Sequence, residues 1–404
     1  MAVGKGNAVI GQGGGPTAVI NQSLVGVIES VKKLRNVPRL MGALHGVRGI
    51  VQEDFFDLKG LRTAHLEKIA ATPAAALGST RDRPDEQYCR RILKVFAKNN
   101  VRYFFYVGGN DSADTARIVG EMAEQEDYEL SVFHIPKTID NDLRVTDHTP
   151  GYGSAAKFVA SAFMGEDRDN ASLPGIKISI VMGRHAGWLT AASILGRRDN
   201  TCGPHLVYVP ETPFSITRFA KDVRDVYGKL GRCLVAVSEG VQNKAGVPIA
   251  LEVAEKLNLP IERDNFGNVQ LSGTGVLGDA LSRYLKDKVS RKKLRIRSDT
   301  YGYLQRSFAG YASSVDQKEA RMAGRKAVEF AMAGHKAGSV VFRRAKGKAY
   351  KISYDLAELH KIAAETKHLP RSFINKAGNN ITGSFRKYAM PLVGQLPAAA
   401  KLSL

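Results

Sequence analysis

The sequence predicts an α/β fold, in which helices cover a largely parallel sheet. Short apolar runs of strand length alternate with helical apolar patterns from one end of the chain to the other, which is typical of repeated strand and helix units. Several of these runs end in glycine-rich or aspartate-rich turns just before a helical pattern begins. The chain has 404 residues, of which 44% are hydrophobic, so it can bury a sizeable core and divide into two or more domains.

The first two predicted strands, residues 8–10 and 103–107, lead into glycine-rich turns. GQGGGPT at residues 11–17 and a helical pattern from Val19 follow the first strand, and GGNDS at residues 108–112 follows the second. A glycine turn at a helix start lets backbone amides face a phosphate, and the helix dipole favours the anion. Either loop alone is more typical of a simple tight turn, and neither fits the Walker or the dinucleotide pattern.

A third predicted strand, residues 131–135, ends in the segment PKTIDND at residues 136–142. This segment holds two aspartates, a threonine and a lysine. If it stays extended, side-chain alternation places Asp140 and Asp142 on one side. One carboxylate would then accept a proton from an attacking hydroxyl, while the other orients the substrate or a metal. A solvated turn rich in Thr, Asp and Asn is the alternative interpretation.

Six short motifs occur in the order in which the phosphofructokinase family carries them, and together they cover most of the chain. They are residues 13–17, 108–112, 136–142, 182–184, 238–240 and 302–306. Any one of them would be a weak match, whereas the ordered set makes a chance match implausible. The chain therefore resembles this family, and specifically its pyrophosphate-dependent branch.

The resemblance implies two Rossmann-like, three-layer α/β units of the phosphofructokinase fold, with the active site in the cleft between them. The first unit would span residues 1–150, bind pyrophosphate and be completed by about residues 302–345. The second would span residues 151–301 and bind the sugar phosphate, while residues 346–404 would pack on the body. An amphipathic helix predicted at residues 315–333 is expected to pack on the sheet. Ligands are expected at the carboxyl ends of parallel strands.

The family's roles carry over to the matching residues of this chain. Asp140 matches the carboxylate that takes the proton from the attacking sugar hydroxyl, and the implied catalytic residues are Asp140, Lys137 and Arg184. The guanidinium fork of Arg184 can follow the phosphoryl oxygens as charge develops. The implied pyrophosphate-binding residues are Gly14, Gly15, Gly109, Asn110, Asp111 and Lys137. The implied sugar-phosphate-binding residues are Thr138, Asp140, Asp142, Met182, Gly183, Arg184, Glu239, Arg297, Tyr303 and Arg306.

Two residues decide the phosphoryl donor that the resemblance implies. In ATP-using relatives, glycines stand at the positions of Asp111 and Lys137 and leave room for the nucleotide. Asp111 would repel an α-phosphate, and Lys137 would offer a compact cation to pyrophosphate and its departing phosphate. The implied reaction is the reversible transfer of a phosphoryl group from pyrophosphate to the 1-hydroxyl of fructose 6-phosphate. It yields fructose 1,6-bisphosphate and phosphate, in glycolysis or gluconeogenesis.

The resemblance also implies a metal and a partner subunit. Asn110 stands where many relatives carry an aspartate near Mg²⁺, so Asn110 and Asp111 are candidate contacts, and substrate oxygens are the expected main ligands of this ion. Arg297 matches an arginine that reaches across from a neighbouring subunit, and Lys177 is a candidate substitute for a second such arginine. A homodimer or homotetramer is therefore expected, without allosteric regulation.

Composition limits the remaining possibilities. The formal charge of +20 indicates electrostatic steering of phosphorylated substrates or a solvated basic surface. The basic clusters at residues 291–295 and 343–348 lack the interleaved aromatic side chains that stack on bases, so nucleic-acid binding is expected to be incidental. Three scattered cysteines and the lack of an apolar run of signal or membrane length favour the cytoplasm, away from membranes. Three alternatives stay open: an ATP-dependent sugar-phosphate kinase of the same fold, a preference for another sugar phosphate such as sedoheptulose 7-phosphate, and a catalytically silent interaction module.

Overall fold

The structure is a computed structural model that describes residues 4–256, 275–289, 294–347, 349–363 and 366–400. It divides into two compact packing units. Unit 1 comprises Met1–Ala155 and Arg306–Lys367, and unit 2 comprises Ala156–Gln305 and His368–Leu404. A compact packing unit need not fold independently, as a domain does. The domain limits expected from the sequence therefore stay predictions.

Strands and helices alternate along the described part of the chain. The strands are β1 (Asn7–Gln12), β2 (Leu40–Ala43), β3 (Phe55–Asp57), β4 (Val101–Gly108), β5 (Ser131–Pro136), β6 (Ile176–Val181), β7 (Leu206–Tyr208), β8 (Cys233–Ser238), β9 (Ile296–Thr300), β10 (Ala337–Arg344) and β11 (Ile352–Ala357). The α-helices are α1 (Ile20–Val31), α2 (Val47–Gln52), α3 (Thr63–Ala71), α4 (Glu86–Lys98), α5 (Asn110–Gln125), α6 (Tyr152–Ser172), α7 (Trp188–Ala191), α8 (Ile216–Leu230), α9 (Ile249–Lys256), α10 (Val276–Val289), α11 (Ser314–Met332), α12 (Leu359–Ala363) and α13 (Gly383–Val393). Short 3₁₀ helices occupy Ala192–Gly196, Gly302–Arg306 and Arg371–Phe373. The three strands predicted from the sequence lie inside β1, β4 and β5, and the predicted amphipathic helix is α11, so these predictions are confirmed.

The sheet of unit 1 has the strand order β11-β10-β5-β4-β1-β2-β3. Its inner strands pair in parallel, while β3 and β11 join the two edges in antiparallel orientation. Strands that are buried on both faces read as continuous apolar runs, and β1 is an example. Ala8 and Ile10 belong to the core on one face of the sheet, and Val9 belongs to the core on the other.

Helices cover both faces of this sheet. α1, α3 and α11 contribute side chains to one core, and α2, α4 and α5 contribute to the other. α1 and α11 pack closely because Gly26 lies against the carbonyl group of Arg321, where a Cβ would be only 2.1 Å from the oxygen. The carboxyl ends of β1, β4 and β5 lie side by side, so the loops that follow these strands are neighbours.

In the described residues of unit 2, four parallel strands form a sheet in the order β7-β8-β6-β9. α8, α9 and α10 contribute side chains to its apolar core. Val181 of β6 lies opposite Ser238 of β8, so the residues that follow these two strands also lie side by side. Trp188 is buried, and its ring packs against Phe373 and Tyr388.

The segment after β5 departs from the extended conformation considered above. Asn141 has a φ of 55°, which is the left-handed region that Asn tolerates better than most residues. The chain leaves the sheet after Pro136, and the Thr138 N–H donates to Pro150 O at 3.1 Å. The condition for a strand-like alternation of Asp140 and Asp142 is therefore not met, and the segment forms a turn instead.

Two further expectations from the sequence concern the basic clusters and the lack of a membrane-spanning segment. Part of the basic cluster at residues 291–295 lies outside the described residues. In the other cluster, Arg343 pairs with Asp355 at 3.5 Å and Arg344 with Asp147 at 2.9 Å. Among the described residues, no helix is long and apolar enough to cross a bilayer.

Candidate active site

The glycine loop after β1 forms a small cradle. The Gly13 N–H donates to Val107 O and the Gly14 N–H donates to Thr80 O, both at 2.9 Å. Gly14 has a φ of 74°, which glycine adopts without steric cost. A Cβ on Gly14 would lie 3.2 Å from Lys137 Nζ. Glycine therefore keeps space open in front of that ammonium group.

The second glycine turn begins α5. Gly109 is the N-cap residue, and the 16-residue helix starts at Asn110, so the positive end of its dipole lies at this turn. Gly108 leaves no room for a side chain, because a Cβ would lie 2.0 Å from Ser112 Oγ. The Gly108 carbonyl accepts the Lys137 N–H at 2.9 Å. The turn thus brings a helix N-terminus and the Lys137 loop together, which suits an anion.

Asn110 and Asp111 occupy different environments. Asn110 Oδ1 is buried and accepts no hydrogen bond from the residues that the structure describes. A buried acceptor of this kind suits a ligand or a cation. Asp111 is exposed, and its Oδ2 lies 3.2 Å from Arg83 Nη2. Of the two candidate metal contacts, Asn110 offers a buried oxygen without a hydrogen-bond partner among the described residues, whereas Asp111 is exposed and paired with Arg83.

Lys137 is the buried cation of this region. Its side chain is only 3% exposed, and Nζ donates to Gly15 O at 2.7 Å. Burial lowers the pKa of Lys137 to about 8, and Arg306 and Arg81 act in the same direction while Asp140 opposes them. A compact ammonium beside two glycine loops is a suitable contact for a phosphate.

Asp140 and Asp142 lie on the irregular loop after β5. The Asp140 N–H donates to Thr138 Oγ1 at 3.1 Å, so the threonine hydroxyl stabilises the turn that presents Asp140. Burial, together with the Asp140 charge, raises the pKa of Asp142 well above its usual range, although Lys367 and Lys137 oppose this. Neighbouring carboxylates resist simultaneous ionisation, so the pair can hold a proton near neutral pH. This property is suited to general acid–base chemistry.

In unit 2, the turn after β6 and the residue after β8 form one constellation. The Gly183 N–H donates to Glu239 Oε1 at 3.3 Å, and Ser238 Oγ donates to Gly183 O at 2.7 Å. Glu239 is only 4% exposed, and Gly183 has a φ of 150°. Met182 and Arg184 flank Gly183 in the same turn. The structure therefore brings together the predicted sugar-binding residues Met182, Gly183, Arg184 and Glu239.

The 3₁₀ helix that carries Tyr303 is divided between the packing units. Gln305 of this helix belongs to unit 2. Its Oε1 accepts a hydrogen bond from the Met182 N–H at 3.3 Å. Tyr303 is 47% exposed. Arg306 belongs to unit 1, where its Nη1 lies 2.9 Å from the position that a Cβ on Gly15 would take. Arg306 thus lies beside Gly15, which is expected to bind pyrophosphate, although the sequence grouped Arg306 with the sugar phosphate.

Lys177 and Arg297 lie opposite each other on β6 and β9. Lys177 Nζ lies 2.6 Å from Asp299 Oδ2 and 3.5 Å from Glu166 Oε1, so acidic groups of its own unit hold it. Arg297 is exposed. The roles expected for both residues at a neighbouring subunit stay predictions.

Arg81 is a further basic residue near this site, and it was not predicted from the sequence. This residue follows Ser79 and Thr80, and Ser79 Oγ donates to Gly14 O at 2.6 Å. The charge of Arg81 contributes to the lowered pKa of Lys137, so the guanidinium lies near the candidate phosphate site. Its signal in the sequence is a Gly-Ser-Thr-Arg run at residues 78–81. Because the preceding element is a helix and not a strand, this run lacks the strand-then-turn pattern that marks the other two loops.

Together these features define an α/β phosphotransferase. Two glycine turns and a buried ammonium can hold a phosphorylated donor, and a carboxylate pair can take a proton from an acceptor hydroxyl. The chain belongs to the phosphofructokinase family, which matches residues 7–331. The family and the fold class inferred from the sequence are therefore confirmed.

Individual relatives agree with this assignment. The pyrophosphate–fructose 6-phosphate 1-phosphotransferase of Rhodospirillum rubrum is 53% identical over 399 residues, covering 98% of this chain and 97% of that protein. The protein of the same name from Xanthomonas campestris is 36% identical over 405 residues, covering 98% and 93%. The crystal structure of a pyrophosphate-dependent phosphofructokinase from Marinobacter aquaeolei superposes with a TM-score of 0.85 at 31% identity, covering 97% of this chain and 92% of that one.

Proposed function

We propose that this chain transfers a phosphoryl group reversibly from pyrophosphate to the 1-hydroxyl of fructose 6-phosphate, in glycolysis or gluconeogenesis. The observation that carries the proposal is the buried ammonium of Lys137, which donates to Gly15 O at 2.7 Å. It stands where the ATP-using relatives carry glycine. The Rhodospirillum rubrum protein that is named for this reaction is 53% identical to the chain over 399 residues.

Pyrophosphate binds to unit 1 in this proposal. Gly14 leaves space for its oxygens beside Lys137, the backbone N–H groups of Gly15 and Gly109 donate hydrogen bonds to them, and the N-terminus of α5 favours its charge. Lys137 and Arg306 supply cations beside the same loops, and both neighbour Gly15. Charge that develops on the leaving phosphate is stabilised by Lys137.

Asp140 acts as the general base. The 1-hydroxyl oxygen of the sugar forms a bond to the terminal phosphorus while the bridging P–O bond of pyrophosphate breaks. The hydroxyl proton passes to the Asp140 carboxylate, and phosphate leaves with the electron pair of the broken bond. Thr138 holds the Asp140 turn in place through the 3.1 Å hydrogen bond to the Asp140 N–H. In the reverse direction, Asp140 returns the proton to the sugar oxygen.

Unit 2 supplies residues that are proposed to contact the sugar phosphate. Glu239 accepts hydrogen bonds from sugar hydroxyls, and its position is fixed by the Gly183 N–H at 3.3 Å. Arg184 follows the transferring phosphoryl oxygens, and Tyr303 contacts the phosphate that the sugar already carries. Arg297 is proposed to reach the sugar phosphate of a neighbouring subunit in a cytoplasmic homodimer or homotetramer.

Mg²⁺ is the proposed cofactor. The orphaned oxygen Asn110 Oδ1 would be its protein contact, and phosphate oxygens and water would supply most of the coordination. When bound, the ion neutralises charge on the phosphate oxygens. Among the described residues, no cluster of three His, Cys, Asp or Glu side chains could hold a metal.

A donor exchange tests the proposal. The purified chain is assayed for fructose 1,6-bisphosphate with fructose 6-phosphate and Mg²⁺, using pyrophosphate in one series and ATP in the other. We expect product with pyrophosphate and little or none with ATP. A preference for ATP would refute the proposal, and faster turnover of sedoheptulose 7-phosphate would reassign the sugar while leaving the donor unchanged.

A further inference from the structure

The loop between β5 and α6 has a backbone that other residues must hold in place. Asn141 and Val145 have φ values of 55° and 66°, and a residue other than glycine stays in this left-handed region only where the surrounding structure holds it there. Val145 is branched at Cβ, which makes the left-handed region especially unfavourable for it. Because Asp140 and Asp142 lie on the same loop, whatever holds this backbone also determines where the carboxylates stand.

Lys367 contacts this loop at both ends of the strained part. Its backbone N–H donates to Asp142 O at 2.7 Å. Its side-chain Nζ donates to Thr146 O at 3.1 Å and to Asp147 O at 2.9 Å. One residue, more than two hundred positions away in the sequence, therefore ties Asp142 and residues 146–147 together and encloses Val145 between them.

We propose that Lys367 is a positioning residue for the reaction, because its hydrogen bonds to the loop hold Asp142, and through it Asp140, in the place where the sugar hydroxyl is deprotonated. This inference rests on the proposed function of the same loop. Lys367 itself need not touch either substrate. A displacement of about 1 Å at a reacting group can cost ~10²-fold in rate, so a single support of this kind is kinetically important.

Electrostatics supports the geometric argument. The charged groups that act on the Asp142 carboxylate are Asp140, Lys367 and Lys137, and both lysines favour its ionised form. Burial lowers the pKa of Lys367 to about 8. Burying an ammonium is costly unless it is paired and hydrogen-bonded, and the carbonyl oxygens of Thr146 and Asp147 offset part of that cost.

Other contacts hold the far end of the loop, so loss of Lys367 should not release all of it. His148 Nε2 lies 2.7 Å from Glu319 Oε2, and the Gly151 N–H donates to Asp316 Oδ1 at 2.9 Å. Both contacts join the loop to α11. A substitution of Lys367 keeps the backbone hydrogen bond to Asp142 O but removes the side-chain bonds at residues 146–147 and the cation that acts on Asp142, so it is expected to loosen the loop behind the carboxylates while the fold remains.

Three variants at one position test the proposal. Lys367→Met removes the charge and the side-chain hydrogen bonds, Lys367→Gln keeps amide donors without the charge, and Lys367→Arg keeps both. Lys361→Met is the matched control, because Lys361 is exposed and pairs with Glu358 at 2.8 Å. Each purified protein is assayed for kcat, for the KM of both substrates, for the pH profile of kcat and for thermal stability.

We expect Lys367→Met to lower kcat by ~10- to 100-fold with nearly unchanged KM for pyrophosphate. The acidic limb of its pH profile should move to higher pH, because Asp142 loses a cation that favours its ionised form. Lys367→Gln should show the same shift of the limb, and Lys367→Arg should restore the wild-type limb. The control should behave as wild type.

Several results would overturn the proposal. One is that the Lys367→Met protein folds and keeps the wild-type kcat and pH profile. Another is that its activity falls only in proportion to the amount of folded protein that is lost. If Lys367→Met does not fold, an unshifted acidic limb in Lys367→Gln decides against it. The proposed function has its own test, because it is refuted if the wild-type chain makes no product from pyrophosphate. The ratio of variant to wild type can then still be measured with whichever donor the chain uses.

Discussion

Replacing Lys137 by methionine is the sharpest test of the donor site. The substitution keeps an unbranched side chain in a position that is only 3% exposed, and it removes the ammonium that lies 2.7 Å from Gly15 O. A hydrogen bond to a charged group contributes ~1.5–3 kcal/mol, and each ~1.4 kcal/mol corresponds to a factor of ten. We therefore expect kcat/KM for pyrophosphate to fall by ~10- to 150-fold, while the KM for fructose 6-phosphate stays nearly unchanged.

The pH profile gives a second measurement on the same group. Burial lowers the pKa of Lys137 to about 8, so the side chain is cationic below that pH and neutral above it. For the wild type, kcat/KM for pyrophosphate should therefore fall as the pH rises through about 8. Lys137→Arg should move this limb to higher pH, since an arginine stays protonated throughout, and Lys137→Met should abolish it.

The assay measures fructose 1,6-bisphosphate formation at several pyrophosphate concentrations across the pH range. Lys336→Met is the matched control, because Lys336 is an exposed lysine of the same packing unit. The reasoning is refuted if Lys137→Met keeps the wild-type kcat/KM for pyrophosphate. It is also refuted if the basic limb persists in Lys137→Met, since another group must then produce it.

Local patterns in the sequence account for the parts of the site that were predicted correctly. A strand, a glycine turn and a helix start are encoded within about twenty residues each, and such signals depend on backbone chemistry close by. The turns at Gly14 and Gly109 and the strands before them were found in this way. The pairing of Gly183 with Glu239 follows from two strands whose carboxyl ends lie side by side, and the family resemblance supplied the roles of these residues.

Contacts between distant residues account for what the sequence did not show. Arg306 lies against Gly15, almost three hundred positions away, so no local pattern placed it beside the donor loops. Lys367 reaches the carboxylate loop in the same way. The left-handed Asn141 depends on such supports, since asparagine also adopts extended backbone. A pattern that assumes alternation therefore failed where the surrounding structure, rather than propensity, sets the conformation.

Three further substitutions test separate parts of the proposal. Asp140→Asn should lower forward and reverse turnover together by ~10²- to 10⁴-fold, as expected for loss of a general base, and near-normal turnover would remove that assignment. Arg306→Ala should lower kcat/KM for pyrophosphate by ~10-fold or more, whereas a change confined to the KM of fructose 6-phosphate would return Arg306 to the sugar phosphate. Asp111→Gly should let ATP-dependent product appear, because a carboxylate that repels the nucleotide phosphates and fills their space is gone. Pyrophosphate turnover should persist in that variant, since Lys137 remains. Asp114→Gly, one turn further along the same helix, is the control for the helix stability that any glycine substitution loses, which is ~1 kcal/mol. If Asp111→Gly and its control show the same negligible rate with ATP, then Asp111 is not what excludes the nucleotide.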